Sequence, residues 1–162
     1  MERERCRVTA SLKRVGDDGI PDPRISFNLE LIGYEKFQDG RVAKDWFDVR
    51  IWLEVFGHTL EFPGQKTISI HDVKAFIKWL RELSKSSGPI EPFRTFYEPL
   101  FRMGAVPSAG ETFDITALIS SYGAADGFFS EGEGVSVAFS TNEASITGFA
   151  DELERELRGV QE

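Results

Sequence analysis

The sequence is poor in the side chains that carry most metal and thiol chemistry: it has one cysteine, Cys6, and two histidines, His58 and His71. A single thiol excludes an internal disulfide, and as a nucleophile it would need a base and an orienting group that the sequence does not identify. The histidines stand thirteen residues apart, without the i, i+4 spacing of a helical zinc pair. Apolar runs long enough to span a bilayer, about 18 residues or more, are also missing, so no membrane partner is expected. The opening Met1-Glu-Arg-Glu-Arg-Cys-Arg7 alternates charge where a signal peptide would be apolar. Together with the lone cysteine this sets a cytoplasmic expectation. Neither G-x-x-x-x-G-K-[ST] nor a G-x-G-x-x-G between strand and helix occurs, which removes the two common phosphate cradles. No cofactor, no metal and no catalytic residue is expected.

Positive charge is scarce in one region. Residues 91–162 carry thirteen acidic and four basic side chains, an excess of nine that exceeds the whole net charge of −8. Direct nucleic-acid binding needs clustered Lys and Arg and is therefore not expected. A basic protein surface would instead be steered toward such a chain.

What the sequence does have is alternation. Phe47, Val49, Ile51, Leu53 and Val55 alternate with Trp46, Asp48, Arg50, Trp52, Glu54 and Phe56, the period of a strand with one apolar face. The second face mixes aromatics with charge. The expectation is that a helix or loop covers it; the alternative is an open patch for a partner, with Trp46, Arg50 and Trp52 as contacts. Weaker alternation runs through Val8, Ala10 and Leu12, and a clear pattern through Ile25, Phe27, Leu29 and Leu31, with Gly16–Pro23 read as a break. A Gly57-His58 type II′ turn would return the central strand to Thr59–Phe62.

Helical periodicity appears twice. Ser69 with Asp72 starts a helix with Val73, Phe76, Ile77, Leu80 and Leu83 on one face, and Ser140 with Glu143 caps another carrying Ile146, Phe149, Ala150, Leu153 and Leu157. In this second helix Asp151–Arg155 and Glu154–Arg158 read as i, i+4 pairs, and Glu152 and Glu156 as a solvated face. Between the helices lie an aromatic strand over Phe93–Met103 containing Pro99, an alternating strand Phe113–Ile119, a glycine-rich loop over 121–134, and a strand Val135–Phe139. Strands joined without crossovers are antiparallel. The expected architecture is a single α+β domain over residues 1–162. It has a mostly antiparallel sheet of six or seven strands, two amphipathic helices packed on it, and a two-half repeat of strands then helix over 6–86 and 93–158.

Further candidate contacts are Glu98 within the aromatic strand, and Phe128, Phe129, Glu131 and Glu133 in the glycine-rich loop. With Asp126, the loop's Glu131 and Glu133 offer oxygens to Ca²⁺, but the EF-hand ligand order is absent.

The order Trp46-Phe-Asp-Val-Arg-Ile51, Asp72-Val-Lys-Ala-Phe-Ile-Lys-Trp-Leu80, Phe96-Tyr-Glu-Pro-Leu-Phe101 and Phe149-Ala-Asp-Glu-Leu-Glu-Arg-Glu-Leu157 resembles the WapI-type immunity proteins of bacterial polymorphic-toxin systems. The resemblance covers residues 25–158. Its best local marks are Glu98-Pro99 and the Phe149-Ala150/Leu153/Leu157 helix. It implies a small cytoplasmic protein that binds and neutralises a toxin domain without catalysis, with a basic protein as partner. The readings that compete with it are a ligand-binding domain or enzyme using a pocket between sheet and helices near Glu98, and a structural subunit of a larger assembly.

Overall fold

Alternating apolar residues build two antiparallel sheets, each followed in the chain by a helix. The computed structural model describes residues 9–62, 64–86, 88–96, 100–120 and 134–162; Cys6, Glu98 and most of the glycine-rich loop, with Phe128, Phe129, Glu131 and Glu133, lie outside them. The first sheet contains β1 (Ala10–Val15), β2 (Pro21–Lys36), β3 (Val42–Val55), β4 (His58–Leu60) and β5 (Lys66–Ser69), followed by α1 (Ile70–Leu83). The second contains β6 (Phe93–Arg94), β7 (Phe101–Pro107), β8 (Thr112–Ser120) and β9 (Gly134–Asn142), followed by α2 (Glu143–Gln161). The α+β class, the antiparallel pairing, the two helices and the repeated order of strands then helix match the expectation from sequence. The strands, however, form two sheets of five and four rather than one of six or seven.

In the first sheet β3 lies beside β2 on one side. On its other side it pairs with β5 along Trp46–Val49 and with β4 along Leu53–Val55, so two short strands share that edge. β2 is longer than its alternation suggested. Pro21 and Pro23 do not break it, because Pro21 is its first residue and the pairing with β1 shifts register between Lys13 and Arg14. Strand starts and bulges are where a missing N–H is tolerated. The aromatic stretch divides instead: β6 and β7 are separate strands, and the Thr95 hydroxyl just past β6 accepts the Leu100 N–H just before β7 at 2.9 Å.

Helix starts are set by side-chain acceptors. Ser69 caps α1, its hydroxyl accepting the Asp72 N–H at 3.0 Å. At α2 the cap is Asn142, which accepts the Ser145 N–H at 2.9 Å, while Ser140 still belongs to β9. Asn is as good an N-cap as Ser, so propensity alone does not choose between them.

Both apolar stripes meet the same sheet face. Phe27 of β2 packs its ring 6.4 Å from Phe76 of α1, 6.1 Å from Phe149 of α2 and 5.3 Å from Phe101 of β7. Phe76 also lies 5.8 Å from Phe149 and 4.9 Å from Phe101. Four elements, one strand of each sheet and both helices, thus share one cluster at the centre of a wider apolar core. The sheets also touch directly, the Thr141 hydroxyl of β9 donating to the Lys13 carbonyl of β1 at 2.9 Å.

Phe76 and Phe149 are each 1% exposed. Replacing either by Ala is expected to cost about 3–5 kcal/mol, the usual penalty for emptying a core aromatic. Urea denaturation measures this, and a loss under about 1 kcal/mol would place the helices on the sheet by some other contact.

Candidate functional site

Alternation that points Phe27, Ile51 and Leu53 inward must point Asn28, Arg50 and Trp52 to the opposite face of the first sheet. Both helices pack on the Phe27 side, so of the expected covers, helix or loop, neither helix lies on the second face. What covers Trp52 is its own neighbour. The Arg50 guanidinium lies 4.2 Å above the indole, in cation–π contact, and Trp52 is only 9% exposed. Trp46 is half-buried at the β5 end of the same face.

The charges on this face are fixed in place. Arg50 donates from Nε and Nη2 to the two carboxylate oxygens of Glu61, both at 2.9 Å, a bidentate pair of planar groups. The Trp52 indole N–H donates to Glu54 at 3.1 Å, and the Thr59 hydroxyl donates to the same oxygen at 2.8 Å. Asp48 accepts from Gln65 at 2.9 Å. Beside Trp52, Asn28 accepts from the Ser11 hydroxyl at 2.6 Å and donates to Ser26 at 3.0 Å, so these buried polar groups are satisfied. The arrangement is a preorganised aromatic–arginine stack held by the carboxylates of Glu54 and Glu61. It offers recognition elements and no paired acid and base.

At the end of the face, the β3–β4 turn differs from the expected Gly57-His58 type II′. Its two central residues are Phe56 and Gly57, both with positive φ (47° and 86°), and Val55 pairs with His58. Two positive φ values are the mark of a type I′ turn, whose twist matches that of the flanking strands.

The acidic half of the chain contributes less free charge than its composition suggested. Glu156 is not on a solvated face: it is 7% exposed, and its carboxylate accepts the Ala10 N–H at 2.5 Å and the Leu31 N–H at 2.8 Å. Leu31 lies two residues beyond the last β1–β2 pair, Ala10 with Leu29, so the carboxylate closes the ladder where β1 begins. Glu152 accepts the Ser11 N–H at 3.0 Å. Asp151 and Glu154 pair with Arg81 of α1 at 3.0 and 3.1 Å, and Glu154 also meets Arg158 at 3.2 Å. Only the second of the two expected helix pairs forms, because Asp151 reaches across to α1.

A surface groove of about 560 Å³ between the helices is lined by Lys74, Lys78, Lys85 and Arg158 over Ile77 and Leu157. His58 and His71 are both exposed, and among the described residues no three His, Cys, Asp or Glu side chains gather as a metal site. No described helix is long and apolar enough to cross a membrane. Of the candidate contacts, the structure brings Arg50 and Trp52 into one stack and sets Trp46 farther along the same strand face. Glu54 and Glu61, which orient that stack, were not singled out from the sequence; the alternation of β3 carried the signal for Glu54, but none existed for Glu61.

Among known proteins, the family model described as the immunity protein WapI-like family matches residues 20–160. No curated protein matches. Among solved structures, a chain from a guide-RNA-binding protein complex bound to a guide RNA is similar at 11% identity and a TM-score of 0.46, over 97% of this chain and 94% of that one; likeness at that level carries no argument about binding.

Burial pushes the Glu156 carboxyl up to about 7 from 4.5, against the pull of the Leu31 and Ala10 N–H groups, with Glu30 and Glu152 adding to the rise. A carboxyl raised on folding stabilises the fold fully below its unfolded value, and that contribution is lost as pH climbs through the folded one. The stability of the wild type relative to Glu156→Gln is therefore expected to fall by roughly 2 kcal/mol between about pH 5 and about pH 8. Urea melts of both proteins at several pH values test this. A constant difference would show that the two N–H donors keep the carboxylate ionised throughout.

Proposed function

The chain belongs to the immunity protein WapI-like family, and from that premise we propose that it binds a cognate bacterial toxin domain and neutralises it by occlusion, without catalysis of its own. The observation that carries the reading is the family match over residues 20–160. The open face of the first sheet agrees with it. Arg50, Trp52, Glu54 and Glu61 are already locked in one geometry, so little side-chain entropy remains to be lost on association. Stacked Arg and Trp are also the residue types that dominate the energetics of protein interfaces.

The partner in this proposal is a basic protein surface, not nucleic acid, and the setting is the cytoplasm of the toxin-bearing cell. Trp46, Arg50 and Trp52 serve as contacts, with Glu98, Phe128, Phe129, Glu131 and Glu133 as further contacts from the acidic half. Carboxylates at the rim act by steering the encounter, whereas Arg50 and the indole beneath it act by slowing release.

The direct test is co-expression with the product of the adjacent upstream gene, which the proposal expects to end in a toxin domain. The chain should restore growth and co-purify with the toxin, and Arg50→Ala should raise Kd by about tenfold or more, mainly through faster dissociation. Growth that is not restored, with no complex on size-exclusion chromatography, would end the immunity reading. A complex untouched by Arg50→Ala would move the contact to another face.

A further inference from the structure

We infer that Phe56 is held in the β3–β4 turn as an anchor for the partner's surface and not as a part of the fold. A type I′ turn asks for positive φ at both central positions, which Asn, Asp and Gly adopt readily and a bulky aromatic does not. Gly57 suits its place. Phe56, at φ 47°, does not, and among the described residues only one other non-glycine residue, Glu111, has a positive φ.

A strained side chain is usually retained because it packs. This one gains little by packing, since Phe56 is 56% exposed. Its ring contact is the Arg24 guanidinium at 5.6 Å, itself largely exposed and paired with Asp22 at 2.9 Å. The turn's further bond, from the Phe56 N–H to the Arg24 carbonyl at 2.7 Å, is a backbone bond that any non-proline residue at this position would make. Local geometry and residue identity therefore disagree where solvent is the beneficiary, the pattern expected of a functional position.

The surroundings state what the ring would meet. Phe56 directly follows β3, whose Trp52 and Glu54 share one face, and Glu61 follows β4 across the turn. Arg24 is paired with Asp22 and Arg50 with Glu61, while Glu54 accepts from the neutral Trp52 indole and Thr59 hydroxyl, so an incoming surface meets an aromatic ring with one uncompensated carboxylate near it on β3. The complementary partner is a basic protein surface with an apolar recess that receives the ring and a Lys or Arg side chain placed to meet Glu54. This identification rests on the toxin-binding reading above and adds to it the point of insertion.

Phe56→Asn separates fold from function, because Asn-Gly is the sequence this turn prefers. The variant is expected to melt at the same temperature as the wild type or higher, while its complex with the toxin domain of the neighbouring gene dissociates about tenfold faster or more. Differential scanning calorimetry and surface plasmon resonance on the full chain read the two effects. A lower melting temperature would show that the ring supports the fold and overturn the inference. Unchanged dissociation from a toxin that the wild type does bind would overturn it too, while leaving the immunity reading intact. If the wild type itself does not bind that domain, both fall together.

Discussion

Phe27, Phe76, Phe101 and Phe149 come from two sheets and two helices and meet in one cluster, with ring centroids between 4.9 and 6.4 Å apart. The edge-to-face and tilted arrangements in this cluster are the ones that the ring quadrupole favours. Sheet one contributes Phe27 from its second strand, so the helices have to lie on that face and the opposite face is left without them. The placement of Arg50 and Trp52 away from both helices is thus a consequence of where the aromatic residues went. Moving the cluster to the other face would require a one-residue slip of every strand.

Polar side chains finish what the rings begin. β1 is a short edge strand, and it is attached at both ends by groups from the last third of the chain: Glu156 and Glu152 take its N–H groups near Ala10, and Thr141 takes the Lys13 carbonyl. Asp72 plays a similar part for the second sheet, its carboxylate accepting the Phe96 N–H at 2.9 Å just past β6. Each bond joins residues far apart in sequence and sits at the border of an apolar region, where an unmade bond would be costly. The aromatic cluster supplies cohesion, and these hydrogen bonds fix β1 against α2 and β9 and the chain past β6 against α1.

Regular elements were legible in the sequence because period and burial coincide. The β3 alternation and both helical stripes describe which residues face the core, and the structure buries Ile51, Leu80 and Leu153 accordingly. What sequence could not supply was anything decided by a distant partner. Glu152 and Glu156, four apart on an acidic helix, look like a wet face until β1 is laid beside them. Asp151 faces Arg155 in sequence and Arg81 in space. The choice of Asn142 over Ser140 as cap follows from β9 running two residues further to keep its pairing with β8. Alternation could also say that β3 has a second face, but not that a guanidinium would lie over its indole. That depends on Glu61, which β4 delivers after a turn whose residues were misjudged by one position.

The two short strands flanking β3 have a consequence for the molecule in a crowded solution. A long, flat, unpaired edge is a template on which further chains can add without limit. Here the fourteen-residue β3 is shielded on that side by β4 and β5, of three and four residues, with no strand beside Arg50, Ile51 and Trp52 among the described residues. Arg50 and Glu61 close over the interval with a charged pair that an incoming strand would have to displace. That border of the sheet is therefore a poor template for an added strand. The stretch of β3 that holds the Arg50–Trp52 stack can then meet a partner through its face without offering its edge to a second copy.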